Sequence, residues 1–231
     1  MDHSNKELKH TIVMLPGMDG TGELFAPFIA ALGGEFDVRV VRYPGDHCGG
    51  YEQLEALARA AIPSDRPYVL LGESFSGPIA ISIAASAPGR LQGLVLCCTF
   101  ARSPRPGLAV LKGLFGLIPL KALPASWLVD TRMRAPFKAA LRLVSSAALK
   151  ARMRAVLAVD VSDRLEKCAV PILYLRATRD WLVPRAAATL VAQLKPATAV
   201  TEFDAPHFLL QTVPEQAARE VAAFVRLSGQ R

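Results

Sequence analysis

Cysteine and histidine are scarce in this chain, four of each among 231 residues, and each scarcity narrows the functions open to it. Cys48, Cys97, Cys98 and Cys168 show neither the paired spacing of a zinc site nor that of a disulfide framework. They read as reduced, small hydrophobic side chains of a cytoplasmic protein, with Cys97 and Cys98 adjacent in a strand and facing opposite sides. Long apolar runs are also missing. The segment GLAVLKGLFGLIPL is broken by Lys112 and Pro119 and falls short of the roughly 20 residues that span a bilayer. The polar opening MDHSNKELKH lacks the apolar stretch of a secretory leader, so no transmembrane or targeting segment is expected. Acid is nearly absent from one region. Between Ala101 and Val159, Asp130 stands alone against Arg102, Arg105, Lys112, Lys121, Arg132, Arg134, Lys138, Arg142, Lys150, Arg152 and Arg154, so the excess of positive charge in this segment exceeds the net +7 of the whole chain. Nucleic-acid binding would use such charge, but no recognition motif accompanies it, and that class is set aside.

The residues that are plentiful are apolar, at 52% of the chain, enough for one sizeable core. Six short runs rich in Val, Ile and Leu read as strands: TIVMLP, DVRVVRYP, YVLLGES, LQGLVLCC, PILYLRAT and ATAVTEF. Helical patterns separate most of them: ELFAPFIAALGG, YEQLEALARAAI, SGPIAISIAASA and PRAAATLVAQLK, with EQAAREVAAFVRL at the end. Strand alternating with helix predicts an α/β fold, doubly wound, whose mostly parallel six-stranded sheet carries helices on both faces. Residues 101–159 break the alternation with helical patterns and prolines. They read as a helical cap inserted into a core made of 1–100 and 160–231.

One junction carries chemistry. In LLGESFSGPIA, running from Leu70 to Ala80, a strand stops at Gly72 and a helix begins almost at once, with Ser74 at the turn. A turn this tight strains the serine backbone and lifts its hydroxyl clear of the sheet. The match to Gly-x-Ser-x-Gly is imperfect, because Ser76 holds the second glycine position and Gly77 follows it. A serine hydroxyl needs a base to take its proton and an acid to orient that base. His3 and His10 lie near the N-terminus and His47 follows an early strand, while His207 alone follows the last one. Asp180 sits in the loop after the preceding strand, where such sheets place their sites.

With these residues in the order Ser74, Asp180, His207, the chain resembles the α/β-hydrolases over nearly its whole length. That resemblance implies Ser74 as nucleophile, His207 as general base and then acid, and Asp180 as the orienting carboxylate. It makes LPGMDGTG, from Leu15, the oxyanion loop, with the N–H groups of Met18 and Phe75 holding the oxyanion. Pro16-Gly17 stands where many members have His-Gly, and with about ten residues before TIVMLP the family's opening hairpin is expected to be absent. The implied reaction is acyl transfer through a covalent intermediate, on a small ester first and a thioester next, needing no metal or organic cofactor.

Each assignment has a competitor. Ser74 also suits a helix N-cap, Ser76 is a second serine, Asp163 and Asp204 are alternative acids, and His207 also suits a surface turn. Gly17 and Asp19 border the expected ester, while Asp19, Gly20 and Gly22 also read as a turn that shapes the backbone. Leu111, Leu114 and Phe115, with Leu108 and Leu117, recur at roughly helical spacing and suit either an acyl-chain cavity or the cap's own packing. The basic cap suits either an acidic partner such as an acyl-carrier protein or a solvated face. Two further functions stay open: an acyltransferase that passes the acyl group to an alcohol, and a non-catalytic binding protein that keeps the fold.

Overall fold

Runs such as TIVML and YVLLGE, apolar on both sides of the alternation through most of their length, are strands only if both their faces are covered. A computed structural model describes residues 9–86, 89–107 and 131–229. In it β1 (Thr11–Leu15), β2 (Asp37–Val40), β3 (Tyr68–Glu73), β4 (Leu91–Cys97), β5 (Ile172–Ala177) and β6 (Ala199–Phe203) form one six-stranded sheet. Every pairing is parallel, in the order β2-β1-β3-β4-β5-β6.

Side-chain alternation then builds two cores. Val13, Leu15, Leu70, Leu94, Leu96, Ile172 and Tyr174 point to one face. There they meet α2 (Tyr51–Ala60), α3 (Gly77–Ala85), α6 (Ser162–Glu166) and α7 (Arg185–Leu194) through Leu54, Ile79, Leu165 and Val191. Ile12, Met14, Val69, Leu71, Val95, Leu173 and Leu175 point to the other. They are covered by α1 (Ala26–Ala31), α8 (Leu209–Thr212) and α9 (Pro214–Ser228) through Phe28, Leu209, Leu210, Val221 and Val225. Each such side chain contributes about 1.5–3 kcal/mol on full burial. Several expected elements come out shorter. The DVRVVRYP run is a strand only over Asp37–Val40, and ELFAPFIAALGG splits into a 3-10 turn, Glu23–Phe25, followed by α1.

Cys98 departs from expectation. Cys97 and Cys98 do not face opposite sides of a strand; both lie in the same core cluster. Cys98 follows the last residue of β4 and has φ 46°, a left-handed backbone that turns its side chain back to the face of its neighbour.

Two topological features position the site. From β1 the chain runs outward to β2 and then returns to β3 on the opposite side of β1, so the loops after β1 and β3 diverge at the carboxyl edge, where open sheets bind ligands. The other is the excursion between β4 and β5. Its ends meet at a neck, where the backbones at Arg102 and Asp160 pair in an isolated antiparallel β-bridge and Val161 N–H donates to Ala101 O at 2.8 Å. Its described helices before the neck are α4 (Arg134–Arg142) and α5 (Ser146–Ala158). The hydroxyl of Ser145 caps α5 by accepting Ala148 N–H at 3.0 Å. Among the described residues, no helix is long and apolar enough to cross a membrane.

Candidate active site

At the end of β3 the backbone turns through a 3-10 turn, Ser74–Ser76, straight into α3. Ser74 has φ 48° and is, with Cys98, one of two described non-glycine residues at positive φ. Such a conformation costs on the order of 1–3 kcal/mol and persists only where its surroundings enforce it. They do so here. A Cβ at Gly72 would lie 2.7 Å from Ala80 Cβ, and one at Gly77 would lie 1.8 Å from Thr99 Oγ1. Thr99 in turn donates its hydroxyl to Ser74 O. The serine at the second glycine position has its own function: Ser76 Oγ donates to Pro16 O and meets Tyr43 Oη at 2.9 Å, joining the turn to the loop after β1. It makes no capping bond to α3.

His207 lies in the loop between β6 and α8, buried, with Nε2 2.8 Å from Ser74 Oγ. Its Nδ1 lies 2.7 Å from Asp180 Oδ2. The other oxygen, Asp180 Oδ1, accepts the N–H groups of Leu182 and Val183, both at 2.9 Å, so the carboxylate is oriented from two sides. With Nδ1–H donated to Asp180, Nε2 is left to accept the Ser74 proton. The competing acids stand elsewhere. Asp204 is 84% exposed and paired with Arg179, and Asp163 is exposed on α6. Cys98, Asp180 and His207 hold ligand-capable atoms within 4.8 Å of one another. Asp180 and His207 are already joined, which leaves this set poorly arranged to hold a metal.

The loop after β1 is a tight turn. Gly20 N–H donates to Gly17 O at 3.0 Å, and Tyr43 N–H to Gly20 O at 2.8 Å. Gly20 and Gly22 both have positive φ, 72° and 74°. The Asp19 carboxylate is turned onto Thr21, accepting its N–H at 2.9 Å and its hydroxyl.

Two residues here, Arg152 and Glu73, are not marked as site residues by the sequence. The sequence groups Arg152 with the basic residues of the β4–β5 excursion; it is instead fully buried, with its guanidinium in this loop. Its partners are main-chain carbonyls, which leave no side-chain signature. Glu73, the residue before Ser74, is buried against the loop and accepts a hydrogen bond from Gln211 Nε2 at 2.9 Å. Burial pushes its carboxyl up to about 7; the Gln211 bond, nearby His207 and the Gly17 N–H oppose the rise, and Asp19 adds to it.

These groups open on a cavity of about 550 Å³. Gly17, Met18, Asp19, Ser74, Phe75 and His207 all border it. The rest of its wall is mostly apolar, with Phe137 from α4 and Leu149 and Val156 from α5 joining Phe100, Trp181 and Phe208. Leu111, Leu114 and Phe115 lie outside the described residues.

Residues 12–224 match the alpha/beta hydrolase family. The chain belongs to that family. Among relatives of this hydrolase is the provisionally named carbamate hydrolase RutD of Rhizobium rhizogenes, 27% identical over 250 residues, 94% of this chain and 92% of the relative. Another is a pimeloyl-[acyl-carrier protein] methyl ester esterase of Edwardsiella ictaluri, 28% identical over 211 residues, 81% of this chain and 82% of that one. The enol-lactonase of Burkholderia xenovorans LB400 shares the fold, with a TM-score of 0.75 at 20% identity, covering 97% of this chain and 94% of its own.

Proposed function

We propose that this hydrolase cleaves carboxylic esters through an acyl-enzyme on Ser74. The observation that carries the reading is His207 within hydrogen-bonding distance of Ser74 on one side and Asp180 on the other, at 2.8 and 2.7 Å. Ser74 Oγ attacks the ester carbonyl carbon while its proton passes to His207 Nε2. The carbonyl oxygen gains negative charge and is held by the N–H groups of Met18 and Phe75. The intermediate collapses, His207 returns the proton to the departing alcohol, and Ser74 keeps the acyl group. Water, deprotonated by His207, then releases the acid. Asp180 stabilises the imidazolium formed in both halves.

The apolar cavity supports an acyl group of moderate size as the specificity-giving part of the ester, and a thioester would use the same machinery. Residues 101–159 are proposed to act as a cap on the core of 1–100 and 160–231, since Phe137, Leu149 and Val156 supply wall to the cavity. Arg132, Arg134, Lys138 and Arg142 on and beside α4 are exposed. With a relative named for a carrier-protein ester, they support docking of an acidic acyl-carrier protein.

Fluorophosphonate labelling tests the reading: one label per chain is expected, lost in Ser74→Ala and kept in Ser76→Ala. No label on the folded wild-type protein would overturn it in favour of a binding protein. Product analysis with an added alcohol separates acid from transferred ester. Turnover of a carrier-bound ester against its free counterpart, as salt is raised, tests docking; equal rates and no salt effect would remove the carrier.

A further inference from the structure

We infer that Arg152 is a positioning residue for oxyanion stabilisation, gripping from α5 the loop that carries the Met18 N–H. The inference rests on the Ser74 reading above. A buried guanidinium is costly to desolvate unless its donors are met. Arg152 is 0% exposed, and among the described residues no carboxylate pairs with it within 4.0 Å. What it meets is backbone. Nη1 donates to Met18 O at 2.9 Å and Asp19 O at 2.8 Å, and Nη2 to Pro44 O at 3.0 Å. Its carbon Cζ lies 5.9 Å from the centre of the Tyr43 ring, and its Nε is buried without a partner. An apolar side chain of similar volume would fill this space without the desolvation cost.

Planarity makes the grip consequential. In a trans peptide the N–H points opposite to the preceding carbonyl. The Gly20 N–H that holds Gly17 O inside the turn therefore directs the Met18 N–H outward. Arg152 fixes the next two peptide planes through Met18 O and Asp19 O, so the turn cannot roll. The loop is closed around the guanidinium: a Cβ at Gly20 would lie 2.6 Å from Nη1. Arg152 also brings a permanent positive charge to the same loop, in a site of low dielectric where the reaction develops negative charge. A residue that only filled space would supply neither the direction nor the charge.

The test compares wild type with Arg152→Met and Arg152→Lys, counting competent sites by fluorophosphonate label at completion and measuring kcat per labelled site, KM and melting temperature. Arg152→Met is expected to lose about 10²-fold in kcat per site with little change in KM, since small misplacements and lost oxyanion donors have effects of that size. Arg152→Lys, which keeps charge without the fork, should fall between. Guanidinium ion should restore kcat to Arg152→Ala, and neutral urea should not. Wild-type kcat per labelled site in Arg152→Met would overturn the inference whatever its melting temperature. If that variant does not fold, Arg152→Lys decides alone: a reduced kcat per site supports positioning and a wild-type value overturns it. A wild-type protein that takes no label sinks the Ser74 reading instead.

Discussion

Gln211 donates through Nε2 to Glu73 Oε1 at 2.9 Å, joining α8 to the residue that precedes Ser74. The other Gln211 atom, Oε1, is buried without a partner. An uncharged group at position 73 would therefore be met better than a carboxylate. Folding keeps a proton on Glu73 up to about pH 7, chiefly through burial, where the ordinary value is 4.5. Because the folded value is raised, this group's contribution is full below 4.5 and is lost as pH climbs through about 7. The loss amounts to about 3 kcal/mol. Asp19 and His207 face the same carboxyl, the first adding to the rise and the second opposing it. Glu73→Gln should flatten the decline, since its amide can accept the Gly17 N–H and donate to a turned Gln211. Urea unfolding at pH 5 and pH 8 checks this, and equal declines in both proteins would refute it.

The turn at Ser74 should tolerate no side chain at Gly77. A Cβ there meets Thr99 at three atoms, Oγ1, Cγ2 and Cβ, at 1.8, 2.6 and 2.7 Å, so no rotamer of Thr99 clears it. Gly77→Ala is expected to cost about 3 kcal/mol or more, the upper range for overpacking. Adding Thr99→Ala should recover only part, because the Cβ contact remains. Thermal unfolding of both variants measures the difference.

Asp180→Asn should separate orientation from binding. The amide oxygen can still accept Leu182 and Val183 N–H, but its NH2 would face His207 Nδ1 and force that nitrogen to accept. Nε2 would then carry the proton and could not take one from Ser74. A fall in kcat of about 10⁴-fold is expected, with KM nearly unchanged, in steady-state assays on a simple ester.

Acyl length should be read by the cavity wall. Each methylene that finds apolar cover is worth about 0.8 kcal/mol, or about 4-fold in kcat/KM, until the space is filled. Val156→Phe narrows a cavity of about 550 Å³ from the α5 side. The optimum should move to shorter chains while short esters keep their rates. A chain-length series on both proteins gives the answer, and parallel profiles would count against α5 as the acyl wall.

Much of the fold was legible because its signals are local. TIVML and YVLLGE need cover on both faces, and the alternating helices supply it. Ser74, Asp180 and His207 could be picked out because each follows a strand, and parallel strands bring their carboxyl ends to one edge. Arg152 was not legible. In ALKARMRAV it looks like one more charge on a basic helix, and its partners lie 108, 133 and 134 positions away as carbonyl oxygens. Cys98 escaped for a different reason: alternation assumes extended backbone, and a single positive φ reverses the side. Glu73 could be located from the sequence, but its titration depends on burial and on Gln211, 138 positions away.

The excursion between β4 and β5 is thus stitched to the sheet's working edge by the buried Arg152 as well as by its neck. Exchanging it for the corresponding segment of another hydrolase would also carry off the clamp on the turn that follows β1. On the inferred role of Arg152, selectivity and rate would not be separable modules, and a graft would have to bring its own substitute for that guanidinium.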